Sequence, residues 1–297
     1  RSSAGFARVR TRHLGLHLTR NAFHYTGQNL WFFAVATIPL SQLVALEFTN
    51  PIWVALLAPL LLGERLTRAR MVGAALGFLG VLVVAQPGRA PLEPGHAAAL
   101  ASALCFAMNT LYTKRIMAHD DVLCVIFWMT LLQGTASLLI SLPGGIPLPS
   151  ATTLPWILVV GVTGLTAHYC LTSALGHAPA TTFAPMEFIR LPLIAVVGMW
   201  LYQEPLRAPI FAGAALIIWG VSGTLIRHAY SFPTAHEANL ALFIALGGLM
   251  TLGVYGLLNA FIRPVIVLFT GRLLIRSLGL FLIIINAVLL FLLAWLF

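Results

Sequence analysis

No Asp, Glu, Lys or Arg occurs between Asp121 and Glu187. That run covers roughly 65 residues, enough for about three helices of ~20 residues across a bilayer. Stretches 21–46, 71–88, 208–226, 238–262 and 277–297 are also free of these four residues. A chain so short of charge has little with which to build a solvated surface. Charged residues make up 8% of its 297 residues and hydrophobic ones 60%, where soluble domains carry about 25% charged residues. Lipid resolves the conflict. Inside a bilayer every backbone polar group must find a partner within the protein, so spanning elements are helices or a closed barrel. Barrel strands alternate polar and apolar positions; these runs are apolar throughout. The chain reads as all-α, a polytopic transmembrane helical bundle.

Apolar length and the loop signals between runs predict helices over 21–38, 41–62, 70–86, 96–116, 122–142, 155–175, 180–202 and 208–227. Two more follow at 239–260 and 277–297, making about ten. Pro39, Pro87 with Gly88, Pro143 to Gly145, Pro149 and Pro179 mark connections, and the polar segment 231–238 reads as a linker. Lys plus Arg number 17 against 8 Asp plus Glu. In a soluble protein that excess would point to nucleic acid. Here the basic residues flank the spans, so they act as positive-inside topology signals, and no nucleic-acid partner is expected. Arg8, Arg10, Arg12 and Arg20, then Arg65, Arg68 and Arg70, then Lys114, Arg115 and Arg227 fall on one side by alternation. That side is expected to be cytoplasmic. Cys105, Cys124 and Cys170 all lie in apolar runs without paired spacing and read as buried small hydrophobes.

An internal repeat organises most of the chain. A shift of 140 residues places Ala34, Pro39, Glu47, Phe48, Ala55, Glu64 and Leu66 on Ala174, Pro179, Glu187, Phe188, Ala195, Glu204 and Leu206, without a gap. The run Gly73 to Leu76, with Gly80, falls on Gly213 to Leu216, with Gly220. The helices between Glu47 and Glu187 are odd in number, so the copies are expected to be inverted. Inverted repeats place a substrate site near the bilayer midplane, where the halves meet, and permit alternating access.

The stretch ATIPLSQLVALEFTNPIWVALLAPLLLGERLTRARMVGAALGFLGVLVV, with its proline turn, Pro51, Gly-Glu-Arg end and glycine-rich following helix, resembles the second half of an EamA domain of the drug/metabolite transporter superfamily. Residues 95–230 resemble a full second EamA domain. Such proteins have ten helices, five per domain, so the resemblance implies that residues 1–88 form a first repeat lacking its first two helices. The tail 239–297, with Asn259, Arg263-Pro264 and Asn286, resembles part of a small phage-holin-like membrane protein family.

Ionisable residues within spans are costly, by about 2.5–3.5 kcal/mol on insertion scales, and so count as functional candidates. Glu47 and Glu187 occupy equivalent repeat positions inside apolar runs, and Arg190 follows Glu187 by three residues, where a helix brings the two together. The three are expected to line a central cavity; the competing reading is a structural pair. Asn50 precedes Pro51, which removes a helical hydrogen bond and frees a carbonyl for a ligand or for a simple kink. Asn29, Trp31, Asn109, Tyr112, His168 and Tyr169 add polar and aromatic groups suited to a metabolite pocket, or to packing. Glu64 and Glu204 read as structural helix-end residues that pair with nearby arginines. His24, His168 and His177 lack metal-ligand spacing, so no metal is expected. Gly73, Gly77 and Gly80 form a small-residue face for helix packing or, more sharply, a homodimer.

The chain carries no nucleotide-binding loop and no G-x-S-x-G or H-E-x-x-H motif. The expected function is secondary transport of small metabolites, amino-acid-like compounds or drugs across the bacterial inner membrane, with no cofactor and no enzymatic activity. The alternative is a structural or pore-forming, holin-like membrane protein.

Overall fold

The computed structural model describes residues 9–38, 40–85, 93–142, 150–151, 154–189, 191, 209, 211–213, 215–217 and 219. Arg190, Glu204, the 231–238 linker and the 239–297 segment lie outside them. The described residues form helices α1 (Leu14–Thr37), α2 (Leu40–Glu47), α3 (Asn50–Leu62), α4 (Arg68–Ala85), α5 (Pro94–Ile116), α6 (Val122–Ser141), α7 (Leu154–His177) and α8 (Ala180–Phe183), then a 3₁₀ turn, Ala184–Ile189.

Helix α1 starts seven residues before the expected boundary, and this corrects the reading of Arg20. Arg20 is not a basic flank in water. It lies within the helix with 1% of its surface exposed. His17, Arg20, Asn21, His24, Gly27 and Ala34 are the buried residues of α1, and their spacing puts them on one stripe. Helix α5 buries small residues, including Gly95, Ala98, Ser102, Ala103 and Ala107. The two helices run antiparallel in close contact: Arg20 meets Thr113, Ser102 Oγ donates to Gly27 O at 2.8 Å, and Gly95 lies under Thr37. A Cβ on Gly27 would stand 2.9 Å from Cys105 Cβ. Small side chains are what allow this approach in lipid, where tight packing drives helix association.

The expected helix 41–62 is two helices, broken by a turn at Phe48 and Thr49. Pro51 explains the break, because it offers no N–H to the Glu47 carbonyl. It sits in the first turn of α3, where that donor is not needed. Gly63 closes α3 at φ 68°, a left-handed conformation natural for glycine. Pro185 interrupts the next expected helix in the same way, and the chain tightens into the 3₁₀ turn.

The two copies of the repeat meet inside the bundle. Phe48 stacks on Phe188, its own equivalent, with ring centroids 5.8 Å apart and planes 20° apart. Glu64, at the end of α3, meets Ala180 and Thr181, at the start of α8. Rising numbers in one copy thus pair with falling numbers in the other, the antiparallel relation of an inverted repeat. The glycine faces also interlock. A Cβ on Gly80 would lie 2.6 Å from the carbonyl oxygen of Gly213, the equivalent of Gly73, and one on Gly77 would strike the Phe188 ring. This face is therefore filled within one chain. The main core gathers here, around Phe48, Val54, Val81, Leu111, Phe183 and Phe188.

Among the described residues, Ala45–Leu62, Val122–Ser141 and Ile157–His177 are long and apolar enough to cross a membrane. Helices α1 and α5 have 24 and 23 residues, about 35 Å at 1.5 Å per residue. They are long enough as well, but carry polar residues on the faces they turn to each other.

Candidate functional site

Helices α1, α5, α6 and α7 surround a buried polar cluster that runs from Arg20 to His168. Arg20 donates from Nε to Thr113 Oγ1 and from Nη1 to Asn21 Oδ1, both at 3.1 Å. Gln133 of α6 also donates to Asn21 Oδ1, from Nε2 at 2.8 Å. Its other end, Oε1, lies 3.0 Å from His24 Nδ1. With the Gln133 amide oriented this way, His24 must donate from Nδ1, so a neutral His24 keeps Nε2 as an acceptor. The His24 ring meets the edge of the His168 ring from α7, with centroids 5.0 Å apart, and it tilts against Phe106 at 5.8 Å. His168 Nδ1 is buried and has no hydrogen-bond partner among the described residues; the same holds for Asn109 Oδ1, Asn50 Oδ1 and Trp53 Nε1. Buried polar atoms are nearly always paired. The unpaired His168 Nδ1 leaves this cluster with bonding capacity for something else.

Of the residues named from sequence, the structure brings His168 into this cluster; Asn109 is buried one turn before Thr113 on α5, its backbone carbonyl accepting from Thr113 Oγ1 at 2.7 Å. Tyr112 stacks on Phe23 at 5.8 Å. Trp31 and Glu47 form a separate pair, with Trp31 Nε1 donating to Glu47 Oε2 at 2.8 Å. Asn50 is buried and donates from Nδ2 to Ala103 O at 3.3 Å. Glu187 is half-buried and not a free carboxylate; the pairing expected with Arg190 falls outside the described residues. Asn29 and Tyr169 are exposed, and the Asn29 amide bonds back to Tyr25 O. Sequence reasoning missed Arg20, Asn21, His24 and Gln133 as a group. The usable signal was the spacing of three and then four residues from His17 to Arg20 to His24, which places polar residues on one stripe of a helix.

Charged helix-end residues hold the copies in register. Glu64 accepts from the backbone N–H of Ala180 at 2.8 Å and of Thr181 at 3.0 Å, and from Thr181 Oγ1 at 2.7 Å. It thereby caps the start of α8, a role different from the arginine pairing expected. Lys114 Nζ donates to Leu175 O and Ala178 O at 2.6 and 2.9 Å, closing the end of α7. At the same end of the bundle Asp120 Oδ2 accepts from Thr11 Oγ1 at 2.6 Å and meets His17 Nε2 at 2.8 Å. His17, Asp120 and Cys124 each place one donor atom within 4.8 Å of the others. The Asp120 oxygen is already engaged by Thr11 and His17, so the trio reads as a tie between α1 and the α5–α6 turn.

The sequence profile of the EamA-like transporter family matches residues 7–86 and 93–226. A riboflavin transporter of Rhizobium johnstonii is 31% identical over 219 residues, 72% of this chain and 71% of the relative. A riboflavin transporter of Brucella anthropi is 30% identical over 229 residues, 75% of this chain and 80% of the relative. An S-adenosylmethionine uptake transporter of Rickettsia prowazekii is 23% identical over 223 residues, 75% and 76% of the two chains. One solved crystal structure shares the fold at a TM-score of 0.62 and 18% identity, covering 77% of this chain and 84% of the other.

Proposed function

We infer the mode of action from one premise: this chain belongs to the EamA-like transporter family, and it is a membrane transporter of small molecules, not an enzyme. The proposal is secondary transport by alternating access in a bacterial inner membrane, as a uniporter or coupled to protons. The substrates proposed are metabolites in the size range of riboflavin and S-adenosylmethionine, which name the relatives' cargo.

One observation carries the reading. The cluster is polar and drawn from three helices of a bundle whose outer faces are apolar: Arg20, Asn21 and His24 are buried, and Gln133 and His168 are half-buried. Polar groups at that depth are costly unless they serve a pathway. A transporter spends this cost on a site that replaces the water lost by its cargo. Phe106 and Trp128 border the cluster, against His24 and His17, and supply flat apolar walls for a ring system.

Full-length protein in proteoliposomes tests this. Entry of labelled riboflavin or S-adenosylmethionine is expected to exceed that into empty vesicles and to saturate. Gln133→Ala, which removes the link between Asn21 and His24, is expected to lower the rate at least about tenfold while the protein still purifies as a folded species. Rates equal to those of empty vesicles for both compounds would remove the substrate proposal. Release of an unrelated trapped dye by the full chain would replace it with the pore-forming alternative.

A further inference from the structure

Arg20 has five N–H donors in a planar fork. Two are spent, on Thr113 and Asn21. None of the described carboxylates pairs with it: Glu64 caps α8, Glu47 holds Trp31, Asp120 holds Thr11 and His17, Glu93 and Asp121 cap α5 and α6, and Glu187 is engaged elsewhere. The guanidinium nevertheless sits with 1% of its residue exposed, about 9 Å along α1 from its first residue at 1.5 Å per residue. A buried charge is normally paired, because desolvation costs several kcal/mol per ion. Arg20 has neutral neighbours instead: Thr113 and Asn21 at hydrogen-bond distance, then Gln133, His24 and His168 in sequence through the cluster. Among the described residues, His168 Nδ1 in this network and His17 Nδ1, one turn before Arg20 on α1, are buried without a hydrogen-bond partner.

We propose that the transported molecule carries an anionic group, a carboxylate or a phosphate, and that Arg20 is the residue that binds it. The proposal rests on the transport reading above and narrows its substrate class. A carboxylate or phosphate presents two oxygens to the free edge of the guanidinium, the bidentate geometry that makes such pairs short and selective. The anion supplies a counter-charge that none of the described carboxylates supplies, so cargo binding is favoured over binding of a neutral analogue. Asn21 holds the fork in place through Oδ1, and its own Nδ2 is anchored on His17 O at 2.8 Å, so the guanidinium is oriented before cargo arrives.

Matched ligands that differ in one anionic group provide the test: riboflavin against riboflavin 5′-phosphate, and methionine amide against methionine, whose carboxylate replaces the carboxamide. Binding to the purified full chain in neutral detergent is followed by thermal shift and by titration calorimetry. The anionic member of at least one pair is expected to bind at least about tenfold tighter than its mate. That preference is expected to vanish in Arg20→Gln and to survive in part in Arg20→Lys, which keeps charge without the fork. No preference in either pair, or a preference that persists in Arg20→Gln, would overturn the assignment. The comparison within the native protein decides the matter even where Arg20→Gln fails to fold. Phosphatidylglycerol added to the micelles separates a lipid phosphate from soluble cargo, and stabilisation by the lipid with none by either pair also overturns it. Riboflavin flux without any anion preference would leave transport standing and remove the anion; anion binding without flux would do the reverse.

Discussion

Asp120 shows how much one residue does at the membrane edge. Burial raises the cost of its carboxylate, but the hydrogen bonds from Thr11 and His17 outweigh that cost and hold its pKa below the ordinary 3.8. A carboxylate whose folded pKa is depressed contributes stability above its unfolded pKa, and that contribution is lost as pH falls through the folded value. The melting temperature of the detergent-solubilised protein is therefore expected to fall as pH drops below about 3.8. Asp120→Asn is expected to melt lower at pH 7 and to show a flatter curve in that acid window. Equal slopes in the two proteins would remove Asp120 from the account. Neither partner of this tie stands out in sequence, since Thr11 and Asp120 are 109 positions apart. Arg20 was misread for a related reason. An arginine at the end of an apolar run resembles a positive-inside flank, and only the extension of α1 by seven residues places it inside.

Helices were legible because their cause is local. The charge-free runs set the rough span of most described helices, and the boundaries of α4 to α7 shifted by no more than a turn. The breaks at Pro51 and Pro185 were harder. A proline within an apolar run marks either a kink or a new start, and the choice depends on what packs beside it. The glycine faces show tertiary packing deciding an element's role. Gly77 and Gly80 fit α4 against the second copy with no room for a side chain. Gly80→Val is expected to cost about 1–3 kcal/mol, the usual range for overpacking a close-packed interior, and to appear as a lower melting temperature with a smaller yield of monodisperse protein. The same change at Gly15, where a Cβ meets nothing within 4 Å, is the matched control and should cost far less. Similar losses at both sites would show that the interlocked faces contribute little.

At the scale of the whole molecule, the inverted repeat separates two kinds of contact between the copies. Phe48 on Phe188 joins equivalent residues, so the contact lies close to the axis that relates the copies. Glu64 on Ala180 and Thr181 joins residues far from equivalence, so it lies away from that axis, toward one end of the bundle. Rocking one half against the other changes distances least at the pivot and most at the ends. Two tethers therefore have different expected effects. In a chain with Cys105, Cys124 and Cys170 replaced by serine, a linked pair Phe48→Cys and Phe188→Cys is expected to leave substrate flux within about twofold of its reduced form. A linked pair Glu64→Cys and Thr181→Cys is expected to hold one end shut and stop flux until reductant restores it. Each pair is compared with its own reduced state, so loss of the Glu64 cap does not enter the difference. Flux that survives the end tether would mean that the copies do not rock about the Phe48–Phe188 contact. The polar cluster around Arg20 would then have to open by movement of α1 against α5, the pair of helices with the most extensive contact among the described residues.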